Sequence, residues 1–232
     1  MKVSRSLMIV AVLMFVPALW ADVVLNEGFD NIATLPAGGW AMINNSSPPG
    51  ATDWFQGNDG IFPSFQGADD SYIAGNFLNA DFGGNISNWL LTPEMPIDGY
   101  VQITFFTRTE ADSVFPDRLE LRLSANGAST DVGGTDASVG DFGSLLLTIN
   151  PDLLLSGFPE DWAQINAVIS GLPLGTTGRF AFRYFVPDTN TNGDYIGIDS
   201  VLIFQTVPEP ASLALVGSGI VMLVLCCRRF RF

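Results

Sequence analysis

An all-β fold, a jelly-roll β-sandwich of two sheets, is the reading the sequence favours, and three observations lead to it. Short runs of alternating or uniformly apolar residues recur along the middle of the chain, Gly, Pro, Asn and Asp separate most of them, and helical periodicity is nearly absent. The runs are Asp22–Leu25, Ser71–Ala74, Trp89–Leu91, Tyr100–Thr109, Arg118–Ser124, Leu145–Ile149, Ala163–Ile169, Arg179–Val186 and Tyr195–Phe204. In Tyr100–Thr109, Val101, Ile103 and Phe105 face one side while Gln102, Thr104 and Phe106 face the other. In Arg118–Ser124, Leu119, Leu121 and Leu123 alternate with Glu120 and Arg122, a charged face that is expected to be solvated. The best helical stretch, Phe142–Leu155, contains Pro151 and is expected to form a strand followed by a loop. Many short strands with frequent turns in about 185 residues suit a sandwich.

The two ends have a different character. Lys2 and Arg5, an apolar run from Leu7 to Leu19, and Ala21 give residues 1–21 the form of a secretory signal peptide. Cleavage is expected after Ala21, with Ala18 as the competing position. Ala211 to Cys227 is free of charge, and Arg228, Arg229 and Arg231 follow it directly. About 17 residues make a helix of roughly 25 Å, near the lower limit for one membrane span. The arginines mark its cytoplasmic flank, which favours a transmembrane helix over a buried core helix.

Charge and composition narrow the chemistry of the segment between, residues 22–206. It holds 23 of the acidic residues and only Arg108, Arg118, Arg122, Arg179 and Arg183 as cations, a net charge of −18. Such a surface repels nucleic acid and anionic lipid. The chain has no histidine, and its two cysteines, Cys226 and Cys227, lie in the tail. Histidine-dependent triads and disulfides are therefore absent from the middle segment, which is long enough to fold on its hydrophobic core. The segment Gly38–Gly67, rich in Gly, Pro and Asn, is expected to be a long surface loop that carries binding residues.

The tail Val207-Pro208-Glu209-Pro210, with the apolar stretch 211–227 and the basic end 228–232, resembles the PEP-CTERM sorting signal of exported proteins in Gram-negative bacteria that make exopolysaccharide. That resemblance implies an exosortase partner at the inner membrane, cutting near the motif, and delivery of the domain to the cell surface or extracellular matrix. The two prolines suit this role because they hold an extended, accessible peptide.

Residues 23–204 resemble the choice-of-anchor J domains, which are similar to cleaved-adhesin and MAM-like jelly rolls. The resemblance rests on Asn26-Glu27-Gly28-Phe29-Asp30, Gly39-Trp40, Asp53-Trp54-Phe55-Gln56-Gly57, Asp70-Ser71-Tyr72-Ile73-Ala74, Asn88-Trp89-Leu90-Leu91-Thr92-Pro93, Phe105–Arg108, Arg118–Ser124 and Tyr195-Ile196-Gly197-Ile198-Asp199-Ser200. By analogy with related domains it implies a structural calcium near the start of the first strand and the end of the last. Glu27, Asp30, Asp53, Asp70 and Asp199 are its candidate ligands, with Asn26 and backbone oxygens completing a shell of six to eight oxygens. Asp188–Asp194 also alternates carboxylates and amides before a glycine, yet it lacks the bidentate glutamate of a calcium loop and reads as a polar hairpin turn.

Trp40, Trp54, Phe55, Phe62 and Phe65 are candidates for stacking on sugar rings, and the competing reading makes them core residues that plug one end of the sandwich. No catalytic motif is present. A pair of carboxylates would suffice for glycoside hydrolysis, but none stands in a recognisable pattern, so no enzyme is expected. The functional expectation is a non-enzymatic adhesion or polysaccharide-associating module of the envelope. The alternatives are a glycan-active hydrolase and a purely structural matrix protein.

Overall fold

The computed structural model describes residues 21–206; residues 1–20 of the expected signal peptide, and residues 207–232 with the sorting motif and the expected transmembrane helix, lie outside the described residues. Thirteen strands, numbered in chain order, form two antiparallel sheets. The first sheet runs β11 (Ala163–Ser170), β8 (Tyr100–Thr109), β13 (Tyr195–Thr206), β5 (Ile73–Asn76) and β4 (Phe55–Gln56), with β1 (Ala21–Glu27) paired to the second half of β13. The second runs β10 (Ser144–Ile149), β9 (Leu119–Ser124), β12 (Thr177–Val186), β6 (Ala80–Leu91) and β2 (Ala41–Asn44), with β3 (Ser47–Pro49) on β6 and β7 (Met95–Pro96) on β12. Two short 3₁₀ helices, Ile32–Gly38 and Phe77–Asn79, are the only helical turns among the described residues. None of these is long and apolar enough to cross a membrane.

The alternation in β8 sets the inside of the sandwich. Val101, Ile103 and Phe105 are fully or almost fully buried and meet Phe180, Phe182 and Tyr184 of β12 in one core. Phe105 and Phe182 touch edge to face across the sheets, with ring centroids 4.9 Å apart. That geometry favours the positive edge of one ring against the negative face of the other. Every second residue of β8 consequently points outward, and its pairing with β11 and β13 places Thr104 beside Asn166 and Leu202, and Phe106 beside Gln164 and Asp199. Neighbouring residues in a pleated antiparallel pair share a face, so this row composition defines the outer surface of the first sheet.

Two expectations are corrected. Glu120 and Arg122 of β9 do not form a solvated face: Glu120 is buried and the Arg122 side chain is only 11 % exposed. Arg183 crosses from β12 to the same place, so Glu120 accepts from Arg122 Nε at 2.7 Å and Arg183 Nη1 at 3.3 Å. The Arg183 guanidinium lies over the rings of Phe185, at 3.6 Å, and Trp89, at 4.8 Å. Phe142 and Val132, from the connection between β9 and β10, pack with Trp89 over this face. Segment 38–67 is likewise not one surface loop. It supplies β2, β3 and β4, and the Asn44 side chain binds it inward by donating to the carbonyls of Thr52 and Asn79 at 3.1 and 2.8 Å. Its turn-forming composition hides strands whose partners lie far along the chain.

Candidate functional site

Of the five aromatic candidates, Trp40, Trp54 and Phe62 are buried core residues. Trp40 meets Phe29 edge to face, and Phe62 stacks on Tyr72 while Trp162 and Tyr195 approach it edge-on. The Arg108 guanidinium covers Phe62 at 4.4 Å from its centroid. Phe55 is half-buried against Tyr195. Phe65 alone is exposed, at 44 %, and it lies flat on Phe106 of β8, with centroids 3.6 Å apart and ring planes within 13°.

This ring pair belongs to a cleft of about 650 Å³ on the outer face of the first sheet. Thr104, Phe106, Gln164 and Leu202 form the strand-borne part, and Asn26 at the end of β1 extends it. Glu27, Gly28, Asp30 and the segment Phe65 to Gly67 also line it. No Lys or Arg lines it, while carboxylate, amide, hydroxyl and aromatic groups all do. Pockets that combine an apolar platform with a few fixed polar groups are the usual form of a small-ligand site.

Asp199 holds the Phe65 segment in place. Its side chain is fully buried under the loop, and Oδ2 accepts the backbone N–H groups of Phe65 at 2.8 Å and Gln66 at 3.1 Å. Burial raises the Asp199 pKa, and the bonds from Gln66, Ser200 and Phe65 pull it back in part. A shift of register between Asp199 and Leu202, with Ser200 at φ 51°, lets β13 turn this carboxylate away from the regular pattern. Gly67 closes the loop at φ 100°; a Cβ there would sit 2.8 Å from Ser71 Cβ, so the position requires glycine on both counts.

The wall at residues 27–32 is fixed by similar means. Glu27 Oε1 accepts the N–H of Phe29 at 2.8 Å, and Phe29, at φ 54°, buries its ring completely. Gln56 of β4 then clamps the turn: its Oε1 accepts the N–H of Ile32 at 3.0 Å, and its Nε2 donates to the carbonyls of Phe29 at 2.8 Å and Asp70 at 2.7 Å.

The carboxylates proposed for calcium are thus divided among different tasks. Glu27 and Asp30 line the cleft, Asp199 is committed to backbone amides beneath it, and Asp70 offers its backbone carbonyl to Gln56. Asp53 Oδ1 accepts the N–H of Trp54 at 2.7 Å, and burial raises its pKa. Among the described residues no three acidic side chains come together in a group able to hold a metal ion. The five therefore do not fit one carboxylate-rich shell. Asp188–Asp194 is a turn in which Asp188 Oδ1 accepts Asn190 N–H and Nδ2–H at 3.0 and 2.8 Å, and Asp188 N–H ties it to Asn85 Oδ1 at 3.1 Å.

A further acid, not singled out in the sequence, is the most perturbed. Asp117, 1 % exposed, receives hydrogen bonds from Thr109 Oγ1 and Tyr184 OH, both at 2.5 Å, and from Asp194 N at 2.8 Å. Burial pushes its pKa up to about 6 despite those three donors. It is sealed from solvent within the sandwich and takes no part in the cleft. Its donors lie 8, 67 and 77 residues away, which no local pattern encodes. Phe106, by contrast, was legible as a phenylalanine on the polar side of the β8 alternation.

Comparison with known proteins agrees with both halves of the chain. Residues 206–229 match the PEP-CTERM protein-sorting motif, so the chain carries an export and sorting tail. The K3 cleaved adhesin domain of Lys-gingipain from Porphyromonas gingivalis superposes with a TM-score of 0.54 at 23 % identity, covering 80 % of this chain and 99 % of that domain. The K1 cleaved adhesin domain of the same protein gives 0.56 at 22 % identity, covering 78 % and 96 %. At these identities the likeness is one of fold, and the cleaved-adhesin-like sandwich expected from the sequence is present. No curated protein sequence matches the chain.

Proposed function

We propose that this exported, PEP-CTERM-sorted surface protein is a non-enzymatic glycan-associating module, and that the cleft on the outer face of the first sheet is where it holds polysaccharide. The carrying observation is the stacked Phe65–Phe106 pair set among polar side chains in an open cleft. Phe106 covers one face of Phe65 and leaves the other toward solvent, an apolar plate suited to the C–H face of a sugar ring. Asn26, Gln164, Thr104 and Ser200 supply amide and hydroxyl groups around it, able both to donate to and to accept from sugar hydroxyls. The sorting tail supports an exosortase as processing partner and the surface or matrix of a Gram-negative envelope as destination, where exopolysaccharide is the abundant ligand.

The non-enzymatic reading is supported by where the acids with raised pKa values lie. Asp53, Asp117 and Asp199, whose pKa values are raised, are held in hydrogen bonds to the protein, and Asp117 and Asp199 are closed to solvent. A raised, accessible acid is what proton donation to a glycosidic oxygen requires. Titration of residues 21–206 with exopolysaccharide from the producing cells tests the reading. Saturable binding without new reducing ends is expected. Release of reducing ends, abolished by Glu27→Gln or Asp30→Asn, would replace the module with a hydrolase.

A further inference from the structure

We infer that the open edge of the first sheet, strand β11, is a self-association surface at which the strand pairs with β11 of a second copy of this chain. β11 is the terminal strand of its sheet, bonded to β8 on one side only. It runs for eight residues in unbroken register, from Ala163 opposite Thr107 to Ser170 opposite Tyr100, with no bulge. Its sequence, Ala-Gln-Ile-Asn-Ala-Val-Ile-Ser, contains no charge and no proline.

Sheet edges are ordinarily protected by charged side chains, proline, bulges, brevity or a covering segment, because unpaired N–H and C=O groups invite another strand. β11 has the first four of these protections missing at once, and among the described residues it pairs with no strand other than β8. Its outer positions alternate Gln164, Asn166, Val168 and Ser170, all exposed, with Val168 at 50 %. The connection that leads into it adds Leu154 and Leu155, exposed by 59 % and 60 %.

Charge restricts a second copy to an uncharged edge, and an uncharged strand free of proline and bulges is complementary to itself. The middle segment carries a net charge of −18, so two copies repel over most of their surfaces. The terminal strands of the two sheets, β10 and β11 at one end and β2 and β4 at the other, carry no charged residue. Two copies can therefore meet along such an edge without juxtaposing like charges, and β11 is the longest of the four and unbulged, whereas β10 shifts register between Leu145 and Leu147. Antiparallel pairing of a strand with its own copy is an isologous contact about a two-fold axis, and it closes as a dimer. It would continue the first sheet through both molecules.

Sedimentation velocity on residues 21–206, a compact unit in itself, tests this together with the single substitution Val168→Lys. Val168 is half-exposed and outside the cleft, so the variant keeps the fold, checked by its melting curve. A concentration-dependent dimer is expected, with its dissociation constant raised at least tenfold in V168K. Because the segment has no cysteine of its own, single cysteines introduced in turn at positions 165 to 169 should cross-link under mild oxidation with one maximum within the strand. A monomer at every concentration, or a dimer that V168K leaves intact and no β11 cysteine cross-links, would overturn the inference.

Discussion

Replacing Asp117 by Asn should stabilise the protein at neutral pH, although it alters a buried group that accepts three hydrogen bonds. The folded pKa of about 6 stands above the unfolded value of 3.8. Between those two values the folded state therefore holds a proton the unfolded state has lost, and stability falls as pH rises from about 4 to about 6, then stays level for this group. The difference of about two pKa units corresponds to about 3 kcal/mol of penalty for the ionised form at pH 7. Asparagine avoids the charge and can keep the bonds. Its Oδ1 accepts from Tyr184 OH and Asp194 N, while its Nδ2 donates to Thr109 Oγ1, whose own proton goes to the Tyr195 carbonyl at 3.1 Å. Urea unfolding of wild type and D117N from pH 4 to pH 8 reads this directly. The variant should lose the slope between pH 4 and 6 and gain up to about 3 kcal/mol at pH 7.5, roughly 6 to 12 °C in melting temperature for a domain of this size. A variant less stable than wild type at pH 7.5, with the slope unchanged, would refute the assignment of the burial penalty to Asp117.

Two further substitutions address other parts of the account. Asp199→Ala removes the acceptor for the N–H groups of Phe65 and Gln66, so it should cost about 1 to 3 kcal/mol in a thermal melt and weaken glycan binding without contacting the ligand. Retention of full affinity would show that Phe65 holds its place without that anchor. Glu120→Ala leaves Arg183, with its pKa depressed to about 10 by burial, without its carboxylate partner. A loss of about 3 to 5 kcal/mol is expected from breaking a buried pair at one end, measurable by denaturant unfolding, and a loss below 1 kcal/mol would mean that the Phe185 and Trp89 rings alone compensate the cation.

The sheets were legible where alternation was strong and both faces were of one kind. Tyr100–Thr109 is a strand with the bounds read from its sequence, and Leu119–Ser124 and Ala163–Ser170 differ from theirs by one residue. The first half of β6 was missed because Asp81, Gly83, Gly84 and Asn85 are turn-forming residues, yet β3 pairs with Ala80 and Asn85, and β2 and β12 hold the continuation of the same strand, residues 86–91. The same cause explains segment 38–67. The aromatic surface was only partly legible: Trp54 and Phe65 stand eleven residues apart in similar company, and only the three-dimensional fold sends one into the core and leaves the other on Phe106. Glu120 shows the complementary failure. Its alternation with leucines marks the outward face correctly, but nothing local reveals that the β9–β10 connection folds over that face with Phe142 and Val132.

The central claim, that the cleft on the first sheet holds glycan through Phe65 and Phe106, is tested most directly by isothermal titration of residues 21–206 and the Phe65→Ala and Phe106→Ala variants with the producer's exopolysaccharide. Loss of one stacked ring removes about 0.5 to 1.5 kcal/mol beyond its buried area, so each variant should bind at least about twofold more weakly, by the usual conversion of free energy to affinity, with Phe65→Ala still unfolding in one cooperative transition. Wild-type affinity in both variants, or no saturable binding by the unmodified domain, would contradict it.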